Sequence, residues 1–242
     1  MGDYDLAFSP DGHSIAFSRI VGPDKECCGF TGIFIVGLDG SDPHQVTNVD
    51  PKLPNAEFGD LDPAFSPDGK TLVFDRVRHN KKAPKLVKLG EEEPFYHAIF
   101  VQSLHSSGSP EDAHQITPWK MNCQDHPDFS PAGKLVLFRC LPKGDEGEGP
   151  GNIYWVHPDG TGLHALTHEG ADKQYLRSTF SPSFSGGEGW ISAGRTGGYG
   201  KEGNPDVFRL LIKDGEVVRS VNLTKSGKWE SAAVWGTHPP VD

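Results

Sequence analysis

Short apolar stretches alternate with turn-forming residues along the chain. Residues 14–19 (SIAFSR) and 71–75 (TLVFD) are examples, and Gly, Pro, Asp and Ser flank such stretches. Runs of this length, rich in β-branched and aromatic residues and bounded by turn residues, are typical of β-strands. Almost no segment shows the 3.6-residue periodicity of an amphipathic helix. The pattern therefore predicts an all-β protein made of many short strands.

A short phrase recurs along the chain and marks a structural repeat. It reads FSPDG at residues 8–12 and 65–69, FSPAG at 129–133 and FSPSF at 180–184. In each copy an apolar stretch leads into the phrase, two more follow it, and the copy closes with an apolar residue before Thr. Pro presets the first turn dihedral and Gly supplies a positive one, so the phrase suits a tight hairpin. Each copy is predicted to be a four-stranded antiparallel unit.

Several such units in one chain favour a β-propeller, in which sheets pack around a central channel. We expect a single domain over residues 1–242, either a small ring or one that lacks strands. The predicted complete blades cover residues 3–48, 59–118, 123–168 and 174–225, and residues 229–240 read as the first strand of a fifth blade.

The best-preserved copies are DLAFSPDGHSIAFSR at residues 5–19 and DPAFSPDGKTLVFDR at residues 62–76. They resemble the PD-type repeat of TolB-like β-propellers. The resemblance implies a propeller fold and a periplasmic or secreted location, although we expect no signal peptide within this sequence. Similar blades occur in periplasmic accessory proteins, in the gating domains of peptidases and in some lyases, so the resemblance indicates a fold rather than a reaction.

The charge balance narrows the choice of partner. Thirty-three acidic residues against 23 basic ones give a net charge of −10. Nucleic-acid binding draws most of its affinity from cationic surface, so a nucleic-acid partner is not expected. No apolar run approaches the roughly 20 residues that a membrane-spanning helix needs, so membrane insertion is not expected either. A peptide, a protein or a small polar ligand fits the composition better.

One position in the repeat carries polar side chains toward the predicted channel. Three residues before each repeat Phe stand Asp5, Asp62, His126 and Arg177. The first strand of a propeller blade lines the channel, so these side chains are predicted to converge on one axis. Two residues earlier, Asp3 and Asp60 occupy a second shared position. The predicted ligand-binding set is Asp3, Asp5, Asp60, Asp62, His126 and Arg177.

These residues allow several interpretations. The first is non-catalytic recognition of a peptide segment or small polar ligand. The second is a divalent metal held by Asp5, Asp62 and His126. With such a metal the protein would resemble the oligogalacturonate lyases built on similar blades, which implies a lyase or hydrolase acting on acidic sugars. Arg177 weighs against that metal, because a fixed positive charge repels a cation, and a purely structural network that neutralises the carboxylates is a further alternative. HExxH, P-loop and GxSxG motifs are absent from the sequence, so no catalytic residue is assigned and no cofactor is expected.

Two further expectations concern assembly and cysteines. Unfinished blade edges would allow self-association, which gives a scaffold as a third functional class. Cys123 and Cys140 lie equally far from a turn at Pro131–Ala132, which places them opposite each other on an antiparallel hairpin. The sequence leaves open whether they form a disulfide or remain as two thiols.

Overall fold

A computed structural model describes residues 3–21, 31–47, 58–79, 95–105, 112–141, 151–170, 173–197, 204–230 and 233–235. Within these residues, sixteen strands form four antiparallel sheets, each with its four strands in sequence order. Blade one contains β1 (Asp3–Phe8), β2 (Ser14–Ile20), β3 (Thr31–Gly37) and β4 (His44–Gln45), and blade two contains β5 (Phe58–Phe65), β6 (Thr71–His79), β7 (Phe95–Ser103) and β8 (Ala113–Gln115). Blade three contains β9 (Cys123–Phe129), β10 (Val136–Cys140), β11 (Asn152–Val156) and β12 (His164–Ala165), and blade four contains β13 (Tyr175–Phe180), β14 (Gly189–Arg195), β15 (Asp206–Lys213) and β16 (Glu216–Asn222).

The repeated phrase forms the turn between the first two strands of a blade. In blade one the Ser9 amide donates to the Ser14 carbonyl at 2.9 Å, and Gly12 adopts a φ of +72°. The Ser9 hydroxyl also donates to the Asp11 carboxylate at 2.6 Å. Blade two repeats this arrangement with Ser66 and Asp68. The four-stranded antiparallel blades predicted from the phrase are therefore confirmed.

Three apolar clusters hold the four blades together. Each cluster joins one blade to the next, with Leu72 and Phe74 of blade two packing against Ala16 and Ile33 of blade one. Between blades two and three the cluster includes Val73 and Phe138. The third cluster, between blades three and four, contains Trp155, Phe180 and Phe208 among others. Among the described residues no such cluster joins blade four to blade one, so the ring of blades is open on that side.

The C-terminal segment differs from its prediction as the first strand of a fifth blade. Its described residues, 229–230 and 233–235, are not in a strand, and the rest of 229–240 lies outside the described residues. The Glu230 amide instead donates to the Pro205 carbonyl at 3.0 Å. Further along, the Ser192 hydroxyl donates to the Ala233 carbonyl at 3.4 Å. These bonds fold the segment back onto blade four rather than into a new sheet.

Cys123 and Cys140, the predicted cross-strand pair, form a disulfide in blade three, with their Cα atoms 3.9 Å apart. The two residues are partners in the pairing of β9 with β10. Across the described part of the chain, no helix has the length and apolar character needed to cross a bilayer.

Candidate ligand-binding site

An irregularity in the first strand of every blade positions the predicted site residues. In blade one, Tyr4 pairs with Ser18 and Ala7 pairs with Ala16, so β1 carries one more residue than β2 over this stretch. A shift of one residue also interrupts the pairing of the first strand in blades two and four, and a shift of two residues interrupts it in blade three. Extra residues of this kind form a β-bulge, which bends the strand and redirects side chains. Asp5, Asp62, His126 and Arg177 all lie in these bulges.

The bulges also account for some of the residue types found there. Asp5, Asp62 and His126 have φ angles of +56°, +52° and +55°. Most residues avoid this left-handed region, but Asp, Asn and His enter it more readily than other non-glycine residues. The positive φ at this position therefore favours Asp or His by itself, independent of any ligand.

Asp62 and His126 form an ion pair between blades two and three. Their Oδ1 and Nδ1 atoms lie 2.9 Å apart, and the His126 amide donates to Asp62 Oδ2 at 3.3 Å. Burial alone would raise the pKa of Asp62, but the hydrogen bond and charge of His126 outweigh it and hold that pKa below its usual value. Burial likewise opposes the charged imidazole, yet the hydrogen bond and charge of Asp62 raise the pKa of His126. The pair therefore favours its charged form.

Asp5 completes a compact group with this pair. Ligand-capable atoms of Asp5, Asp62 and His126 all lie within 4.8 Å of one another. Burial, and next the charge of Asp62, raise the pKa of the Asp5 carboxyl to about 6. Below about pH 6 the Asp5 carboxyl holds a proton that it can donate in a hydrogen bond to ionised Asp62, so Asp5 and Asp62 play different roles in one cluster.

Arg177 brings blade four into the same site. It lines the cavity that Asp5, Asp62 and His126 also line. Its Nε atom is buried and has no hydrogen-bond partner among the described residues. The positive charge of Arg177 acts on the cluster, since it lowers the pKa of Asp5 and opposes the charged form of His126. All four blades therefore contribute a polar side chain to one place, as the sequence predicts.

Asp128 is a cavity residue that sequence reasoning missed. It accepts a hydrogen bond at Oδ2 from the Phe180 amide of blade four, at 3.1 Å. Burial raises the pKa of its carboxyl to about 6. The signal was an Asp directly before the repeat Phe of blade three, where blades one and two have Ala7 and Ala64.

The shared cavity has a volume of about 750 Å³ and lies between the first strands of all four blades. One part of its wall is polar and contains the residues described above. Another part is apolar and includes Leu6, Phe8, Val234 and Trp235, and four prolines also line the cavity. The Trp235 Nε1 donor is buried and, like Arg177 Nε, has no hydrogen-bond partner among the described residues. The cavity thus offers charge and apolar contact to one guest.

Asp3 and Asp60 are placed differently from their prediction as ligand contacts. Asp3 receives two hydrogen bonds from Arg19, at 2.7 and 2.8 Å. Asp60 receives two from Arg76, at 2.6 and 2.9 Å, and is fully buried. Each pair joins the first and second strands of one blade, and neither carboxylate lines the shared cavity. The pairing register of the first and second strands could have revealed these ion pairs, because each Asp lies directly opposite its Arg.

A second buried pair lies behind the site in blade two. His97 Nδ1 lies 2.8 Å from Asp75 Oδ2, and both residues are buried. Burial raises the pKa of Asp75 to about 6, and the charge of Asp62 adds to that shift. The Asp75 Oδ1 atom has no hydrogen-bond partner among the described residues. The charge of Asp62 in the site thus acts on a second buried pair, Asp75 and His97, which sequence reasoning also missed.

The metal alternative can be tested against this geometry. Within the described residues, Asp5, Asp62 and His126 form the only group of three side chains able to hold a metal ion. Two carboxylates and an imidazole suit a divalent ion. However, His126 Nδ1 already contacts Asp62, and Arg177 places a positive charge in the same cavity. The donors fit a metal in kind, while the surrounding charge opposes it.

Comparisons with known proteins bear on the fold. No protein-family model matches the sequence, and no curated protein matches it either. Among solved structures, a putative TolB from Agrobacterium tumefaciens aligns with a TM-score of 0.61 at 20% identity, covering 90% of this chain and 64% of that one. TolB from Acinetobacter baumannii aligns with a TM-score of 0.58 at 18% identity, covering 88% and 42%.

An oligogalacturonate lyase in complex with manganese aligns with a TM-score of 0.54 at 16% identity, covering 87% of this chain and 50% of that one. At these identities the likeness concerns the fold alone. This chain spans between 42% and 64% of the length of these three neighbours. Its four sheets around a common cavity therefore have a TolB-like β-propeller fold.

Proposed function

We propose that this protein is a non-catalytic propeller that binds a peptide segment, or a small polar ligand of similar chemistry, in the cavity between its four first strands. The observation that carries the proposal is the convergence of Asp5, Asp62, His126 and Arg177 on one cavity of about 750 Å³. A pocket of this size, with apolar walls and a few polar groups in fixed positions, is typical of specific ligand sites.

The unused donors favour a peptide. Arg177 Nε and Trp235 Nε1 are buried and lack partners among the described residues, and a buried donor without an acceptor costs free energy. Backbone carbonyl groups or a terminal carboxylate of a peptide would supply acceptors to both. The Asp5 carboxyl and the apolar side chain of Val234 would then face the donors and side chains of the same segment.

The test is selection from a random peptide library displayed on phage, followed by calorimetric titration of the enriched synthetic peptides. The double variant Asp62→Asn with Arg177→Met removes the two opposite charges, and Asn tolerates the positive φ of residue 62. Arg219→Met, on exposed strand β16, is the matched control. We expect the double variant to weaken binding at least tenfold, and the control to bind like the unmodified protein. Peptides that bind the double variant equally well would refute the proposal.

A second candidate is a metal-dependent lyase or hydrolase acting on acidic sugars. The compact group of Asp5, Asp62 and His126 favours it, as does the fold shared with the manganese-bound lyase. Elemental analysis after dialysis against manganese, with Asp62→Asn as the control, tests this candidate. A stoichiometric ion that the variant loses would support it, and the lack of bound manganese in the unmodified protein would remove it.

A further inference from the structure

The first blade carries an exposed aromatic residue at a position that is covered in the other blades. Phe8 is 66% exposed, whereas its repeat equivalents Phe129 and Phe180 are 7% and 5% exposed. Phe65, the equivalent in blade two, packs into the cluster between blades one and two. In three blades this Phe therefore faces the sheet of the preceding blade, and in blade one no sheet among the described residues covers it.

The rest of the same face repeats the pattern. Phe17 stacks on Phe34 in blade one, as Phe74 stacks on Phe100 in blade two, with ring centroids 5.9 and 6.2 Å apart. Arg19 lies over the first pair, and Arg76 lies over the second.

The difference lies in exposure of these arginines. The Arg76 side chain is 5% exposed beneath blade one, while the Arg19 side chain is 33% exposed. Blade one thus has a face built for an inter-blade interface, and that face is open. Leu6, near its inner edge, is also 66% exposed.

The far face of blade four complements this surface only in part. The residues that receive the next blade are apolar in blade one, where Ala16 pairs with Ile35. The corresponding residues of blade four are Ser192 and Arg209. Ser192 bonds to Ala233 of the C-terminal segment, and Arg209 lies over the Trp190 ring. A head-to-tail contact between copies of this chain would therefore place apolar residues of blade one against Ser192 and Arg209, although Val207 and Leu223 take the positions of Ile33 and Val46 on the same face.

We propose that the open face of blade one, formed by Phe8, Ile15, Arg19 and Phe34 with Phe17 buried beneath them, binds the same face of a second copy of this chain. The face suits a two-fold contact because its one cation, Arg19, is already neutralised by Asp3, so two copies meet without repulsion. Burial of Phe8 against an apolar sheet face would restore the environment that its three equivalents have. The contact also lies beside the cavity, which Leu6 and Phe8 border.

Analytical ultracentrifugation without any ligand tests this proposal, over roughly 1 to 200 µM protomer, because a dimer population follows concentration. We expect the unmodified protein to form dimers. Phe8→Asp should weaken the dimer by roughly 100-fold or more, since each substitution acts twice across a two-fold interface. Leu6→Asp gives a second measurement if Phe8→Asp does not fold, which circular dichroism would reveal.

Two controls make the result specific. Val218→Asp changes a residue that is 55% exposed on the outer strand of blade four, and it should leave the dimer intact. Leu223→Asp changes a residue that is 51% exposed beside β16, at the blade-four position equivalent to Val46, and it should also leave the dimer intact. A protein that stays monomeric throughout, or a dimer that is lost in Leu223→Asp and kept in Phe8→Asp, would overturn the proposal.

Discussion

Asp62 of blade two and His126 of blade three meet at 2.9 Å, each at a bulge in the first strand of its blade. Both residues have positive φ angles, so the backbone conformation and the ion pair are set together. The pair joins two blades at the point where both border the shared cavity. A substitution at either residue is therefore expected to change the pKa of the other.

Asp62→Asn should lower the pKa of His126. The substitution removes the charge that raises this pKa and keeps a side chain that tolerates positive φ. A neighbouring opposite charge favours the charged imidazole, so the pKa of His126 should be lower in the variant than in the unmodified protein. Imidazole NMR shifts, followed against pH in both proteins, measure it. Equal pKa values in the two proteins would mean that the pair does not form.

The free energy of unfolding should fall as pH rises from about 4 to about 7. Burial raises the pKa of Asp5, Asp75 and Asp128 to about 6 from the model-compound value of 3.8. In this window the folded chain holds protons that the unfolded chain has lost, so stability decreases with pH. His126, whose pKa is raised from 6.5, extends the decrease above that value. The lowered pKa of Asp62 affects stability below pH 3.8, outside this window.

Urea denaturation at about pH 4.5 and about pH 7.5 checks this dependence, because each extra bound proton contributes about 1.4 kcal/mol per pH unit. Asp128→Asn is the matched control, since Asn keeps an acceptor for the Phe180 amide but cannot titrate. Its stability should depend less steeply on pH. Stability that rises across this window would contradict the buried placement of these carboxyls.

Reduction of the disulfide between Cys123 and Cys140 should destabilise the fold by about 3 kcal/mol, as expected for a loop of this length. The two residues are 17 positions apart. Urea denaturation with and without reductant measures the difference, and the double variant Cys123→Ser with Cys140→Ser should not respond to reductant. Thiol titration of the unfolded, unreduced protein should find at most two of the four cysteines free. Four free thiols would disprove the bridge.

Two phenylalanines at the same repeat position should differ widely in their contribution to stability. Phe129→Ala opens a cavity in the cluster between blades two and three and should cost about 3 to 5 kcal/mol. Phe8→Ala removes a side chain that is 66% exposed and should cost less than about 1 kcal/mol in the monomer. Urea denaturation at low protein concentration compares them. Similar losses for both would mean that blade one is covered as the other blades are.

The local sequence predicts the blades well because each carries its own turn chemistry. The phrase that begins at Phe8 and recurs at Phe65 specifies a hairpin through Pro and Gly alone. The C-terminal segment shows the limit of this reasoning, since residues 229–240 resemble a first strand, yet Glu230 bonds to Pro205 and Ala233 bonds to Ser192. Whether a strand forms there depends on a partner sheet, which a local pattern does not reveal.

The prediction that Cys123 and Cys140 lie opposite each other rests on a register that the structure modifies. The turn of blade three is centred later than Pro131–Ala132, because the Ser130 amide donates to the Leu135 carbonyl. The bulge in β9 then adds two residues between the partners of Leu137 and Arg139. The two differences cancel at Cys123 and Cys140. A prediction that assumes regular strand pairing on both sides of a turn cannot locate such bulges.

The same bulges explain which site residues could be predicted. The repeat position alone brings Asp5, Asp62, His126 and Arg177 to one cavity, since equivalent residues face a common axis. Asp3 and Asp60 share a repeat position too, but each is held by the Arg opposite it. The position of a residue in the repeat predicts whether its side chain points toward the axis. Whether that side chain forms an ion pair within its blade depends on the residue opposite it on the neighbouring strand.

The most direct test of the central claim, that side chains from separate blades serve one guest, is an NMR titration with a peptide enriched in the library selection. The Arg177 Nε–H group and the His126 imidazole are the two reporters, because they come from different blades and line the same cavity. We expect both signals to shift and to saturate with one dissociation constant. A peptide that binds with full affinity and moves neither signal would contradict the account.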